Sequence, residues 1–155
     1  MFLPHLAGAS SPWWSRDARG AFSGITLSTT PADILLSVYE GVAYQIAANL
    51  SVMEQLAGQL RAVRLFGGGS RSDIWAQITA DVLDKAVEVP ESAECAGTGA
   101  AVLAGTACGV FSDAAEASAK VSLGRTFEPD ARRARLQKER YARYLETQAR
   151  LMSGG

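Results

Sequence analysis

Six consecutive residues carry the groups best placed for chemistry, Gly67-Gly68-Gly69-Ser70-Arg71-Ser72. An apolar run ending in Leu65-Phe66 enters this turn, and a helically periodic segment leaves it. Glycine at a strand-to-helix turn allows backbone conformations closed to other residues and lets a ligand approach the main chain without meeting a Cβ. Ser70 or Ser72 can cap the helix that follows, whose first N–H groups would face the same space as the glycines. Such a turn suits an anion or a polar heterocycle, as in a nucleotide. A tight turn with no ligand is the reading that the glycines alone leave open beside it. Spacing excludes two familiar loops. A dinucleotide fingerprint counted from Gly67 places Ser72 where its last glycine belongs, and no Lys-Ser or Lys-Thr pair follows the glycines as a P-loop requires.

The remaining reactive side chains are few. His5 is the single histidine, which argues against a His-based metal site or a Ser-His-Asp triad within this chain and for packing or solvation. Cys95 and Cys108 lack metal-ligand spacing and lie among glycine and alanine; they are expected to be reduced, small buried residues. Asp33 and Glu40 fall on a long helix and Asp73 and Asp81 on the helix after the glycines, where carboxylates serve as caps or solvated charges. No catalytic residue and no metal ligand is assigned.

The elements that must position the turn follow from periodicity and punctuation. Residues 1–20 are a loop arm, broken by Pro4, Gly8, Pro12 and Gly20, whose Phe2, Trp13 and Trp14 are expected to pack against the body or against another part of the protein. A strand is predicted over Ala21–Leu27, then a helix over Pro31–Leu60 opened by proline. Its apolar stripe of Ile34, Leu35, Val38, Val42, Ile46, Leu50, Met53 and Leu56 marks it as a core helix. Gly41 interrupts that stripe, which implies close packing against another backbone. A strand over Ala62–Phe66, the glycine turn, a helix over Ser72–Asp84 with Ile74, Trp75, Ile78 and Val82 inward, and a strand over Ala86–Val89 follow. Gly97-Thr98-Gly99 is read as the start of a helix of small residues over Ala100–Gly109, and Ala131–Leu151 as a polar helix with a solvated charged face, followed by a glycine-rich end. Alternating strands and helices imply an α/β layered arrangement with a parallel component.

With 155 residues and 48% hydrophobic content, the chain suits one domain. A formal charge of −1 gives no electrostatic reason to expect nucleic acid or an anionic membrane as a partner. No apolar run reaches the ~20 residues of a membrane span and no secretory signal is visible, so a cytoplasmic protein is expected. Self-association into a homo-oligomer stays open.

Several motifs then fall together. Phe2-Leu3-Pro4, Gly8, Ser11-Pro12-Trp13-Trp14, Asp17-Ala18-Arg19-Gly20-Ala21-Phe22 and Gly24-Ile25-Thr26-Leu27 precede Ala32-Asp33-Ile34, Ser37-Val38-Tyr39 and Glu40-Gly41-Val42-Ala43-Tyr44. This stretch resembles the second signature region of the FGGY carbohydrate kinases. The turn from Gly67 to Asp73, with Gln77 and Ala80-Asp81 behind it, is similar to that family's adenosine-binding motif, and Gly97-Thr98-Gly99-Ala100-Ala101 to its later glycine-alanine turn. The resemblance runs from about Phe2 to Phe111, and the wording of its first part is closest to the xylulokinases. The chain departs from the family at Gly8-Ala9-Ser10, where Gly-Glu-Arg is usual.

The resemblance implies an actin-like, ribonuclease H-like ATPase fold and an ATP- and Mg2+-dependent transfer of phosphate to a sugar hydroxyl, that of xylulose or a related pentulose. It places Gly67, Gly68, Gly69, Ser72 and Asp73 at the nucleotide. It also implies that an N-terminal domain with most sugar contacts and an aspartate base precedes this chain, so that residues 1–155 are expected to be the C-terminal part of the second domain, inactive alone. The alternative is a non-catalytic actin-like module that binds nucleotide or a partner chain.

Overall fold

A computed structural model describes residues 1–92 and 94–153. The glycine-rich end, Gly154-Gly155, lies outside the described residues. The arm is not all loop: β1 (Phe2–Leu3) pairs antiparallel with β2 (Ala21–Phe22), Phe2 opposite Phe22 and Leu3 opposite Ala21. The predicted strand over Ala21–Leu27 thus stops after two residues, since Gly24 takes a φ of 78° and Thr26 turns back to hydrogen-bond with Thr29. Phe2 and Leu3 are buried, whereas Trp14 is 77% exposed.

Helix α1 (Pro31–Ala57) begins where Thr30 accepts from the Asp33 amide and Asp33 accepts from the Thr30 amide, a reciprocal capping box. The Thr30 hydroxyl, donating to the Asp33 carboxylate at 2.6 Å, and then the Thr30 amide hold that carboxyl below the usual carboxylate range. The face that α1 buries differs from the expected stripe. Ser37, Glu40, Gly41, Ala43, Tyr44, Ala48 and Leu50 are buried, while Leu35, Met53 and Leu56 are 56%, 55% and 86% exposed. Small residues let neighbouring backbones approach, and a Cβ on Gly41 would stand 2.3 Å from the Phe2 carbonyl oxygen. Close packing against a backbone is therefore what Gly41 provides.

The sheet holds β3 (Ala62–Arg64), β4 (Ala86–Pro90) and β5 (Leu123–Phe127) in the order β3-β4-β5. β3 and β4 are parallel, with Val63 opposite Val87, and are joined through α2 (Asp73–Leu83); β5 adds antiparallel, with Val87 opposite Phe127. Ala76 and Ala80 of α2 pack on Val87 and Val89, flanked by Leu65 and Phe127. The inward face of α2 is this alanine face, and Ile74, expected inside, is 69% exposed. α3 (Cys95–Ala107) starts earlier than expected, so Gly97-Thr98-Gly99 lies within its first turns. Among the described residues α3 buries no side chain; Cys95 at its start is half-exposed and Cys108, which caps its end, is exposed, rather than buried as expected. α4 (Ala114–Ala119) follows.

The last helix, α5 (Ala131–Ser153), is more than a solvated polar rod. Its Tyr144 packs with Leu3 and Tyr44 in a second core cluster, flanked by Met1, Trp13 and Tyr141. Gln137 accepts from the Tyr44 hydroxyl at 2.5 Å and donates to Glu40 at 2.8 Å, and Arg140 donates to the same Glu40 oxygen at 2.6 Å. Burial pushes the Tyr44 and Tyr144 hydroxyls well above the usual phenol range, and Glu40 adds to the rise at Tyr44. A phenol whose folded pKa is raised contributes stability that is complete below its unfolded pKa of about 10 and is lost as pH climbs through the folded value. Unfolding free energy should therefore hold up to about pH 10 and fall above it. Alkaline absorbance titration checks this: ionisation of all four tyrosines at about pH 10 in the still-folded protein would contradict it.

Candidate nucleotide-binding turn

β3 is prolonged by the Leu65 amide, which donates to the Glu88 carbonyl at 2.9 Å, and the chain then turns at Gly67 with a φ of 82° and a ψ of −167°. That backbone conformation belongs to glycine. Gly68–Arg71 form one 3-10 turn, closed by the Ser70 amide (3.2 Å) and the Ser70 hydroxyl (2.7 Å), both donating to the Gly67 carbonyl. Ser70 is buried, so its hydroxyl serves the turn. Ser72 accepts from the Trp75 amide at 3.3 Å and caps α2, which leaves Asp73 as the first helical residue.

The three glycines differ in function. A Cβ on Gly69 would fall 1.6 Å from the Trp75 ring, so this glycine makes room for an indole of its own chain. Cβ atoms on Gly67 or Gly68 would meet nothing within 4 Å. The open side of the turn is therefore Gly67-Gly68, and its closed side rests on Trp75. Arg125 of β5 also ties the turn down: it pairs with the Asp73 carboxylate and donates to the Ser70 carbonyl at 2.8 Å. Its guanidinium lies 5.8 Å from the Phe127 ring centroid. Arg125 is the turn residue that sequence reasoning missed, while Trp75, expected on the inner face of α2, was not connected with the turn. The signal for the first was the stretch Leu123-Gly124-Arg125-Thr126-Phe127 before Pro129, a strand pattern weakened by its glycine.

Beside Asp73 runs a groove of about 490 Å3 with apolar walls from Leu36, Ile74, Ile78 and Phe127. Its floor is tied down by Asp81, which is buried and accepts from Gln77 (2.9 Å), the Asp130 amide (2.9 Å) and Arg133 (2.6 Å). Asp33, Glu40, Asp73 and Asp81 all have protein partners. Of the five residues placed at the nucleotide by resemblance, Gly67 and Gly68 present open backbone, Gly69 faces Trp75, Ser72 caps and Asp73 is paired. Among the described residues no three His, Cys, Asp or Glu side chains converge on a point that could hold a metal. No helix among them is long and apolar enough to cross a membrane.

Comparison with known proteins places this geometry in a family. The family model for the C-terminal domain of the FGGY carbohydrate kinases matches residues 1–108. The glycerol kinase of Dechloromonas aromatica (strain RCB) is 41% identical over 128 residues, covering 82% of this chain and 26% of that protein. A xylulose kinase structure from Brucella ovis superposes with a TM-score of 0.89 at 28% identity, over 99% of this chain and 32% of that one. The glycerol kinase of Plasmodium falciparum, solved with ADP, shares the fold at a TM-score of 0.78 and 24% identity, over 96% of this chain and 30% of that one. The chain thus spans about a quarter to a third of the length of these relatives. Its α/β architecture is that of the actin-like ATPase fold, and the chain belongs to the FGGY family of carbohydrate kinases.

Proposed function

We propose that this chain is the nucleotide-binding C-terminal portion of an ATP-dependent kinase that phosphorylates a hydroxyl of a small polyol or ketose. The observation that carries the proposal is the asymmetry of the glycine turn: Gly69 abuts Trp75, and Ser70 and Arg125 hydrogen-bond its backbone, while Gly67 and Gly68 face open space. Gly67 and Gly68 let the adenosine approach the backbone, Gly69 lets the turn settle on Trp75, Ser72 ends the turn as the cap of α2, and Asp73 with Arg125 keeps that cap in register. ATP with Mg2+ would supply the transferable phosphoryl group, with the adenosine end at Gly67 and Gly68. Xylulose or a related pentulose is our choice of substrate from the wording of the first motif, with glycerol as its competitor from the sequence relatives. We place the enzyme in the cytoplasm, and the exposed Leu35, Met53 and Leu56 of α1 offer apolar surface to the remaining domain.

Phosphoryl transfer needs a carboxylate near the attacking hydroxyl as well as held phosphates, and the helix-borne carboxylates here are engaged in caps and ion pairs. The 155-residue chain alone should show no phosphorylation of glycerol, D-xylulose or gluconate by ATP above a mock preparation. The corresponding full-length enzyme should phosphorylate one of them. Turnover by the isolated chain would overturn the division of labour proposed here, and a full-length enzyme that binds ADP without turnover would favour the non-catalytic module.

A further inference from the structure

The glycine turn meets α2 at a break in the helical ladder, where Ser72 is extended with a φ of −94° and a ψ of 109°. Before the break, the Gly67 and Gly69 carbonyls accept from the Ser70 and Ser72 amides at 3.2 and 3.1 Å. After it, the Ala76 amide donates to the Ser72 carbonyl at 3.0 Å. Between them, no backbone amide among the described residues donates to the Ser70 carbonyl. A buried residue's carbonyl left unpaired is costly, so its partner has to come from elsewhere in the chain. Arg125 Nη2 supplies it at 2.8 Å from 55 residues away, and Nη1 of the same guanidinium pairs with the Asp73 carboxylate. One planar fork thus joins the turn before the break to the first helical residue after it.

What the fork fixes is the angle at that joint. The cap bond from the Trp75 amide to the Ser72 side chain constrains only the helix side of it. Arg125 itself is held by the sheet: it stands opposite Val89 of β4 and on the same face of β5 as Phe127, whose ring packs against the core cluster of Val87 and Val89. The sheet therefore sets where the guanidinium lies, and the guanidinium sets how the open backbone of Gly67-Gly68 is aimed relative to the first turn of α2. Stability is not what this contact chiefly serves, because the Arg125 and Asp73 side chains are 42% and 66% exposed and exposed ion pairs contribute little. Nor would any cation do. Lysine brings one compact ammonium and lacks the rigid fork that spans two acceptors.

We infer that Arg125 is a positioning residue for the nucleotide: by stapling the Ser70 carbonyl to Asp73 it holds the glycine turn in its binding shape, without touching the nucleotide. The inference rests on the nucleotide reading of that turn. Its test is amide NMR with ADP on the 155-residue chain and on Arg125→Met, Arg125→Lys and Arg64→Met. Arg64 is the matched control, an arginine of the same sheet whose 46% exposed side chain pairs with Glu88. Arg125→Met should raise the Kd for ADP at least about fivefold while unfolding in urea close to the midpoint of Arg64→Met, which itself keeps the wild-type Kd. Arg125→Lys should stay at least about threefold weaker than wild type, because the charge is kept and the fork is lost. A wild type that binds ADP beside a folded Arg125→Met of equal Kd would overturn the inference and leave the nucleotide site standing, whatever happens to the urea midpoint. An equal loss in Arg64→Met would overturn it too, as would a wild-type Kd in Arg125→Lys, which would assign the effect to charge. Should Arg125→Met fail to fold, Arg125→Lys decides on the same criterion. ADP shifts absent from the wild type would remove the proposed function and this inference with it.

Discussion

Gly41→Ala should destabilise the protein by about 2–4 kcal/mol even though it improves the helix that carries it. Alanine in the middle of α1 gains about 1 kcal/mol of helix propensity over glycine. Against that gain stands a contact that cannot relax cheaply, because the new Cβ would lie 2.3 Å from the Phe2 carbonyl oxygen and 3.1 Å from its carbonyl carbon. The neighbour is backbone, so β1 has to move as a unit. Leu3, 1% exposed between Tyr44 and Tyr144, moves with it. Withdrawing one such side chain costs roughly 1.5–3 kcal/mol, and Phe2, which leaves its contact with the Phe22 ring, adds to this. Gly99→Ala is the matched control, being a helical glycine with nothing within 4 Å of its Cβ position, and should be neutral or up to about 1 kcal/mol stabilising. Urea unfolding of the three proteins separates the effects. If Gly41→Ala unfolds at the wild-type midpoint, close packing is not what that glycine serves.

The two glycines also show where local signals sufficed and where they did not. Thr30-Pro31 opens α1, Ser72 caps α2, and glycines mark the turn between β3 and α2; each is a short-range feature whose physics is complete within a few residues. The parallel pairing of β3 with β4 follows from the strand-helix-strand alternation alone. Which face of α1 turns inward is a different kind of question. Apolar periodicity shows that a stripe exists, but Tyr44, Glu40 and Ser37 are buried because Gln137, Arg140 and the arm come to them from distant parts of the chain. The ion pair of Glu40 with Arg140 joins residues 100 apart, and nothing in either neighbourhood announces it. β5 escaped notice for a related reason. It is an edge strand with a glycine at its second position and little buried side chain, so its pattern is faint, yet it delivers Arg125 to the turn.

Gly68→Val should abolish nucleotide binding and leave the fold intact, and the two halves of that expectation rest on different observations. The fold survives because a Cβ at Gly68 meets nothing within 4 Å and its φ lies outside the positive region, so valine there is neither crowded nor forced. Gly67 is the position where a side chain would strain the backbone, at a φ of 82°, and Gly69 the one where it would strike Trp75. Binding is lost because the same open space is where the adenosine lies in the proposed function, and a branched side chain fills it. The affinity at stake is small, since in the proposed function most phosphate contacts come from outside these residues; a Kd for ADP on the order of 0.1–1 mM or weaker is expected. Amide NMR suits that range. ADP should shift the signals of Gly67, Gly68 and the first turn of α2 in the wild type, and the shifts should require at least about tenfold more ADP in Gly68→Val. Gly99→Ala controls for general damage better than a substitution at Gly109, whose φ of 74° would strain any side chain. Equal shifts in wild type and a folded Gly68→Val would remove the glycine turn from the nucleotide site, and the open front of Gly67-Gly68 would then be only the solvent side of a tight turn built around Trp75.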